Sequence, residues 1–321
     1  MGVKVTMMER KIMKITRFGM LAAAGLMSMS LLTACSGGAD PAATDTAGAS
    51  ETPTSTLSGT VTGSGSSALL PLAKAAAESF MKENPDVTVT MNGGGSGEGL
   101  KQVSAGSVQI GNSDVFAEEK LDATQAAELK DHKVCTITMA PVVNKDLGLK
   151  DLTTQQLTDI FTGKITNWKD AGGPDEKIVL VTRPSSSGTR ALFKEWAIGG
   201  QEEASNKSLE TDDSGTLLTT VQQNKGAIGY VALSYLVDKT DVQAVSIDGV
   251  EPTLENTYNG KYKVWGYEHM YTKGEPDEVT QAFLDFMMGD KFAADLEKMG
   301  YGVSSKMSAE ATASHPDPAA K

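Results

Sequence analysis

Three Gly/Ser-rich loops in this sequence stand immediately before segments with helical apolar spacing. They are Gly63-Ser64-Gly65-Ser66-Ser67-Ala68, Gly93-Gly94-Gly95-Ser96-Gly97-Glu98-Gly99 and Arg183-Pro184-Ser185-Ser186-Ser187-Gly188-Thr189-Arg190. At such a junction the first backbone N–H groups of the helix have no intrahelical acceptor, and the positive end of the helix dipole favours an anion. The serine and threonine hydroxyls add donors, and Arg183 adds a cation. A single loop of this kind is also what an ordinary helix cap looks like. Three in one chain, one of them carrying an arginine, point to a shared anion. Nucleotide fingerprints do not fit: Leu100 stands where a P-loop needs lysine, and no stretch has G-x-G-x-x-G at the right offsets.

Asn112-Ser113-Asp114 follows the short strand pattern Gln109–Gly111, at the strand end where ligands of open α/β sheets collect. Asp114 is equally readable as a helix N-cap. A carboxylate beside an anion makes chemical sense if the anion carries a proton. HPO₄²⁻ or H₂PO₄⁻ can donate a hydrogen bond to Asp114, whereas fully ionised sulfate cannot and meets like-charge repulsion. Leaving a buried carboxylate unpaired costs several kcal/mol, roughly a thousandfold in discrimination.

The elements that must position these loops alternate. Leu57–Thr62 reads as a strand, Ala68–Glu83 as a helix, Val87–Met91 as a strand, Gly99–Ala105 as a helix and Ala123–Leu129 as another. Val134–Val143 is an apolar run fit for a strand buried on both faces. Beyond it come the helices Thr154–Phe161 and Gly188–Trp196, the strands Ile178–Thr182 and Ile228–Val231, the run Tyr262–Tyr271 and the amphipathic helix Asp277–Met288, with Lys291–Lys298 after it. Trp265, Tyr267, His269 and Tyr271 alternate as in a strand and are expected to pack. Such alternation predicts an α/β fold with a mostly parallel sheet. The polar segment 309–321 is expected to be a flexible tail.

The 321 residues, 40% hydrophobic and 22% charged, suffice for a full globular core. Lys4, Arg10, Lys11, Lys14 and Arg17 precede an apolar run from Phe18 to Leu32 that ends in Leu32-Thr33-Ala34-Cys35. This is a basic region followed by a hydrophobic region, and its end resembles the lipobox of bacterial lipoproteins, in which the cysteine, here Cys35, is lipidated. Residues 1–35 are therefore expected to be a lipoprotein signal peptide and 36–56 a flexible tether. Removing 1–35 takes away five basic and one acidic residue, leaving 24 Lys+Arg against 40 Asp+Glu, a net charge of −16. So acidic a surface excludes nucleic acid as a partner. Cys135 would then be the sole thiol and is expected to be a buried strand cysteine. No His/Cys/Asp spacing suggests a metal site.

These motifs, in this order from about Ser58 to Ser305, resemble the phosphate-specific substrate-binding proteins of ABC importers, the PstS family. The resemblance implies a two-lobe, periplasmic-binding-protein-like (type II) α/β fold with a ligand cleft between the lobes. It implies lobe 1 from 57–139 and 264–308 and lobe 2 from 140–263. Phosphate contacts are implied for Ser67, the Ala68 backbone N–H and Ser96, for Asp114 as proton acceptor, for Arg183 as the anion-facing cation, and for Ser187, Gly188 and Thr189 at a helix N-terminus. Ala68 departs from members that carry an aromatic residue there. Ser185 stands where some members carry an acidic residue that orients the arginine, which leaves the partner of Arg183 unidentified. Thr211–Thr216 also resembles a family segment and reads as a helix cap near the cleft.

The implied partners are inorganic phosphate and the permease subunits of an ABC importer, with the membrane touched through the lipid anchor alone. Neither a cofactor nor a catalytic residue is implied. The expected protein is an extracytoplasmic monomer anchored to the cell membrane. Rival readings are the same scaffold tuned to molybdate or sulfate, against which Asp114 speaks, and a phosphate-binding sensor or adhesion lipoprotein. A secreted serine hydrolase lacks G-x-S-x-G and a histidine near the loops.

Overall fold

The computed structural model describes residues 57–317; the expected signal peptide, the tether and Cys35 lie outside the described residues, as do 318–321. The chain forms strands β1 (Gly59–Gly65), β2 (Val87–Asn92), β3 (Ile110–Ser113), β4 (Leu129–Asn144), β5 (Asp151–Leu152), β6 (Val179–Thr182), β7 (Leu209–Glu210), β8 (Ala227–Ala232), β9 (Val242–Ala244), β10 (Ser246–Ile247) and β11 (Trp265–Lys273). Helices α1 (Leu70–Glu83), α2 (Ser96–Ser104), α3 (Ala123–Ala127), α4 (Thr154–Phe161), α5 (Gly188–Ala197) and α6 (Ser214–Gln223) fall between them. Further helices α7 (Leu254–Tyr258), α8 (Glu278–Met288), α9 (Asp290–Leu296) and α10 (Ala309–Ala313) complete the set.

The main sheet runs β2-β1-β3-β11-β4-β8-β6-β7, with β9 also paired to β4. Its first half pairs β1 in parallel with β2 and β3, and its second pairs β6 in parallel with β7 and β8. The long strand β4 joins the halves, because Leu129–Thr138 pairs antiparallel with β11 while Met139–Val143 pairs antiparallel with β8. Its apolar run from Val134 is buried almost throughout, as the composition anticipates, and Cys135 lies within it at 0% exposure. Burial pushes the Cys135 thiol well up, with Glu268 and Asp114 acting in the same direction.

Packing aims the helices at the centre. On α5, Phe193 stacks on Tyr230 of β8 with ring centroids 4.1 Å apart, and Phe161 of α4 lies 4.8 Å from Phe193. These rings fix the second-half helix against its strand, so the N-terminus of α5 points back toward β3.

Among the boundaries that differ from the sequence expectation, three have a clear physical cause. Helix α2 starts at Ser96 rather than Gly99; a Cβ on Gly99 would collide with the backbone of Ser64, Gly65 and Asn112, so this glycine allows close approach and does not delay the helix. Strand β4 begins at Leu129, since its polar first residues still pair with β11. The segment expected to be a tail from 309 is packed as far as 317. It forms α10, capped by Ser308, and His315 stacks on Trp196 at 3.7 Å and lies 4.0 Å from Trp265. Its polar composition concealed aromatic partners that only the fold supplies.

Candidate anion-binding site

Four helix N-termini meet between the two halves of the sheet. Ser67 and Ala68 form the turn ahead of α1, Ser96 opens α2, Gly188 and Thr189 open α5, and Ser214 opens α6. Ser67, Ala68, Ser96, Asp114, Arg183, Ser187, Thr189 and Ser214 are all at most 2% exposed. Backbone N–H groups and positive dipole ends therefore converge in a dry region.

Arg183 ties one set of these residues together. Its Nη2 donates to Ser67 Oγ at 2.9 Å and to the Asp212 carbonyl at 2.6 Å, and its Nη1 donates to Ser214 Oγ at 2.9 Å. Ser67 and Ser214 share a hydrogen bond of 2.9 Å across the halves. Arg183 Nε is buried with no partner. Its backbone is held in turn: Arg190 Nη1 donates to the Arg183 carbonyl at 2.7 Å.

Asp114 organises the other set. Its backbone N–H donates to Ser96 Oγ at 3.0 Å, which leaves the Ser96 hydroxyl hydrogen to donate elsewhere. Thr189 Oγ1 donates to Asp114 Oδ2 at 2.8 Å, while Asp114 Oδ1 is buried without a donor. Ser187 is the N-cap of α5, its hydroxyl accepting from the Arg190 N–H at 3.2 Å. Gly188 packs so tightly that a Cβ there would collide with Ser96 Oγ and lie 3.0 Å from Asp114 Cβ. Further bonds cross between the halves. The Gly97 N–H donates to the Ser186 carbonyl at 2.9 Å, Tyr235 Oη to the Ser67 carbonyl at 2.6 Å and Lys120 Nζ to the Ser185 carbonyl at 2.9 Å.

All eight residues predicted for the site thus stand at this convergence. Sequence reasoning missed the partners of Arg183: Ser214 and the Asp212 carbonyl occupy the orienting role, while Ser185 contributes its carbonyl to Lys120 instead. The segment holding Ser214 was recognisable only as a cap, and Asp213 does cap α6 by accepting from the Thr216 N–H at 2.7 Å. Sequence reasoning also missed Glu268, fully buried on β11.

Beneath Arg190 lies Glu203, 6% exposed, with the Arg190 Nε 3.5 Å away. Burial raises its carboxyl to about 7 against the opposing pull of Tyr230 and Arg190. The folded protein therefore holds this proton where the unfolded chain has released it. The stabilisation is full below the ordinary glutamate range and is lost as pH rises through 7, about 3 kcal/mol in all. Thermal melts of Glu203→Gln are expected to show a flatter loss of stability between pH 5 and 7 than the wild type; equal slopes would clear Glu203 of this role.

Comparison with known proteins agrees with this architecture. A model of the PBP superfamily domain matches residues 50–291. A phosphate-binding protein PstS of Bacillus subtilis is 52% identical over 233 residues, covering 73% of this chain and 76% of that protein. The chain belongs to the PstS family. A Staphylococcus epidermidis PstS is 29% identical over 265 residues, covering 78% of this chain and 80% of its own. Among solved structures, a Clostridium perfringens ABC-transporter substrate-binding protein with bound phosphate superposes with TM-score 0.70 at 36% identity, covering 76% of this chain and 99% of that one. A Vibrio cholerae ABC-type phosphate transport receptor gives TM-score 0.61 at 28% identity, with coverages of 76% and 99%. The two-lobe PstS-type fold expected from the sequence is the fold found, except that the sheet is mixed and not mostly parallel, because β11 and β4 run antiparallel to their neighbours.

Proposed function

We propose that this protein captures inorganic phosphate between its two lobes and delivers it to an ABC importer. One observation carries the reading: a buried guanidinium with an unpartnered Nε and a buried carboxyl with an oxygen lacking a donor stand among four converging helix N-termini. Donors in that number suit an oxyanion, and a single acceptor suits one that still carries hydrogen. Ser67, Ala68, Ser96, Arg183, Ser187, Gly188 and Thr189 supply the donors, and Asp114 accepts the ligand's proton.

The lobes in this reading are 57–139 with 264–308, and 140–263, hinged where β4 changes partner and where the Met139 N–H meets the Val264 carbonyl at 2.8 Å. Closure excludes water, so each charge-assisted hydrogen bond acts in a lower dielectric, and the closed form is what the permease subunits recognise. The basic and apolar leader ending at Cys35 supports an extracytoplasmic protein tethered by lipid; among the described residues no helix is long and apolar enough to cross a membrane.

Calorimetric titration of the chain from residue 36 with a panel of oxyanions tests the reading. Phosphate is expected to bind below about 1 μM, some 8 kcal/mol, and excess sulfate is expected not to displace it. Equal heats for the two anions would refute the role given to Asp114.

A further inference from the structure

We propose that Glu268 is a positioning residue of the anion site, carrying a proton that it donates in a hydrogen bond to the Asp114 carboxylate. The inference rests on the phosphate-binding reading for its purpose but not for its geometry. Strand β11 runs antiparallel to β3 with His269 opposite Ser113, so the next step along the ladder sets Glu268 against Asp114. On its other side β11 pairs with β4, Glu268 standing opposite Cys135, and the register slips between Glu268 and His269. Irregularities of this kind re-aim side chains beside functional sites.

Glu268 is 0% exposed and Asp114 2%, and neither Glu268 oxygen has a donor from elsewhere. The register places the Asp114 side chain against Glu268, and a hydrogen bond between the two acts to hold the Glu268 proton. Two carboxylates offer only acceptors, so they can bond only if one of them brings a proton. Both cannot be ionised cheaply in a buried place, and the cation that acts on the pair, Lys120, acts on Asp114 and not on Glu268. Around Glu268 stand Asp114 after β3, Cys135 on β4, Tyr235 after β8 and Tyr301 near the C-terminal end, none of them basic. Burial, with Asp114 acting in the same direction, pushes the Glu268 carboxyl well up. Between the two, Asp114 already accepts the Thr189 hydroxyl whereas Glu268 accepts nothing, so the charge settles on Asp114 and the proton on Glu268.

The pair then presents one negative charge to the ligand. Asp114 keeps lone pairs free to take the ligand's hydrogen, since a carboxylate offers about four acceptor positions. Without a donor at 268, Asp114 loses the hydrogen bond that fixes how its free oxygen faces the ligand. A carboxylate left to turn no longer confronts an anion that has lost every hydrogen squarely with an acceptor, so rejection weakens.

Infrared difference spectra of the purified protein against Glu268→Gln at neutral pH are expected to show the carbonyl stretch of a buried protonated carboxyl in the wild type and its loss in the variant. Anion titrations supply the second arm. Glu268→Gln, whose amide can donate in the same place, is expected to hold phosphate affinity and phosphate-over-sulfate selectivity within about threefold. Glu268→Leu, which fills the space and donates nothing, is expected to lower that selectivity at least tenfold. The proposal is overturned if the wild type lacks the band, if the band survives in Glu268→Gln, or if Glu268→Leu remains as selective as the wild type. Should Glu268→Leu fail to fold, the infrared arm still decides. A wild type that ignores phosphate yet shows the band would sink the phosphate reading and leave the protonated pair standing.

Discussion

Arg183→Ala is expected to weaken phosphate binding at least tenfold, and Arg183→Lys to recover only part of the loss. The guanidinium spans the site: one nitrogen reaches Ser67 from the first half of the sheet and the Asp212 carbonyl ahead of α6, and the other reaches Ser214 at the start of α6. A hydrogen bond to a charged group contributes about 1.5–3 kcal/mol, and about 1.4 kcal/mol is already tenfold in affinity. Alanine removes the charge opposite the anion and the brace that aligns two serine hydroxyls contributed by different halves. Lysine restores charge, but a single ammonium on a flexible stem cannot fork to Ser67 and Ser214 together. Calorimetry measures the affinity, and thermal melts without phosphate separate a binding defect from a folding one. Wild-type affinity in Arg183→Ala would remove this residue from the site.

The legibility of this site in the sequence follows the range of the interactions involved. Helix N-termini were readable because a Gly/Ser loop and the apolar period behind it are local, and the loops at Ser67, Ser96 and Ser187 announce α1, α2 and α5 within a few residues. The buried strand β4 was readable from its unbroken apolar run, but not its polar start at Leu129, which owes its pairing to β11 more than 130 residues on. The orienting partner of Arg183 was hidden for the same reason. Ser214 lies 31 residues away, and nothing nearby distinguishes it from any helix-opening serine. Glu268 did leave a signal: it sits between Tyr267 and His269 in an alternating strand, on the face shared with Gly266 and Met270, where a charge is out of place. What the alternation could not say is that Asp114 would lie across from it. The packed segment around His315 left no signal, because its burial depends on Trp196 and Trp265 being brought together by the fold.

Asp114→Asn is expected to change selectivity far more than phosphate affinity. An asparagine side chain offers a carbonyl that can still accept the ligand's hydrogen and an amide that can donate to a bare oxygen. Phosphate, which meets either group, is expected to stay within about tenfold of its wild-type affinity. Sulfate meets a different balance. Against Asp114 it confronts a buried like charge that it cannot satisfy, a penalty of several kcal/mol or roughly a thousandfold. Against the amide it gains a donor and loses the repulsion, so its affinity is expected to rise by two orders of magnitude or more. Thr189 would still find an acceptor, because its hydroxyl can donate to the new carbonyl as it does to Oδ2. Competition calorimetry, with sulfate titrated into the phosphate complex of each protein, reads the ratio directly. If sulfate is excluded from Asp114→Asn as completely as from the wild type, discrimination belongs to the shape of the donor cage and not to this carboxylate.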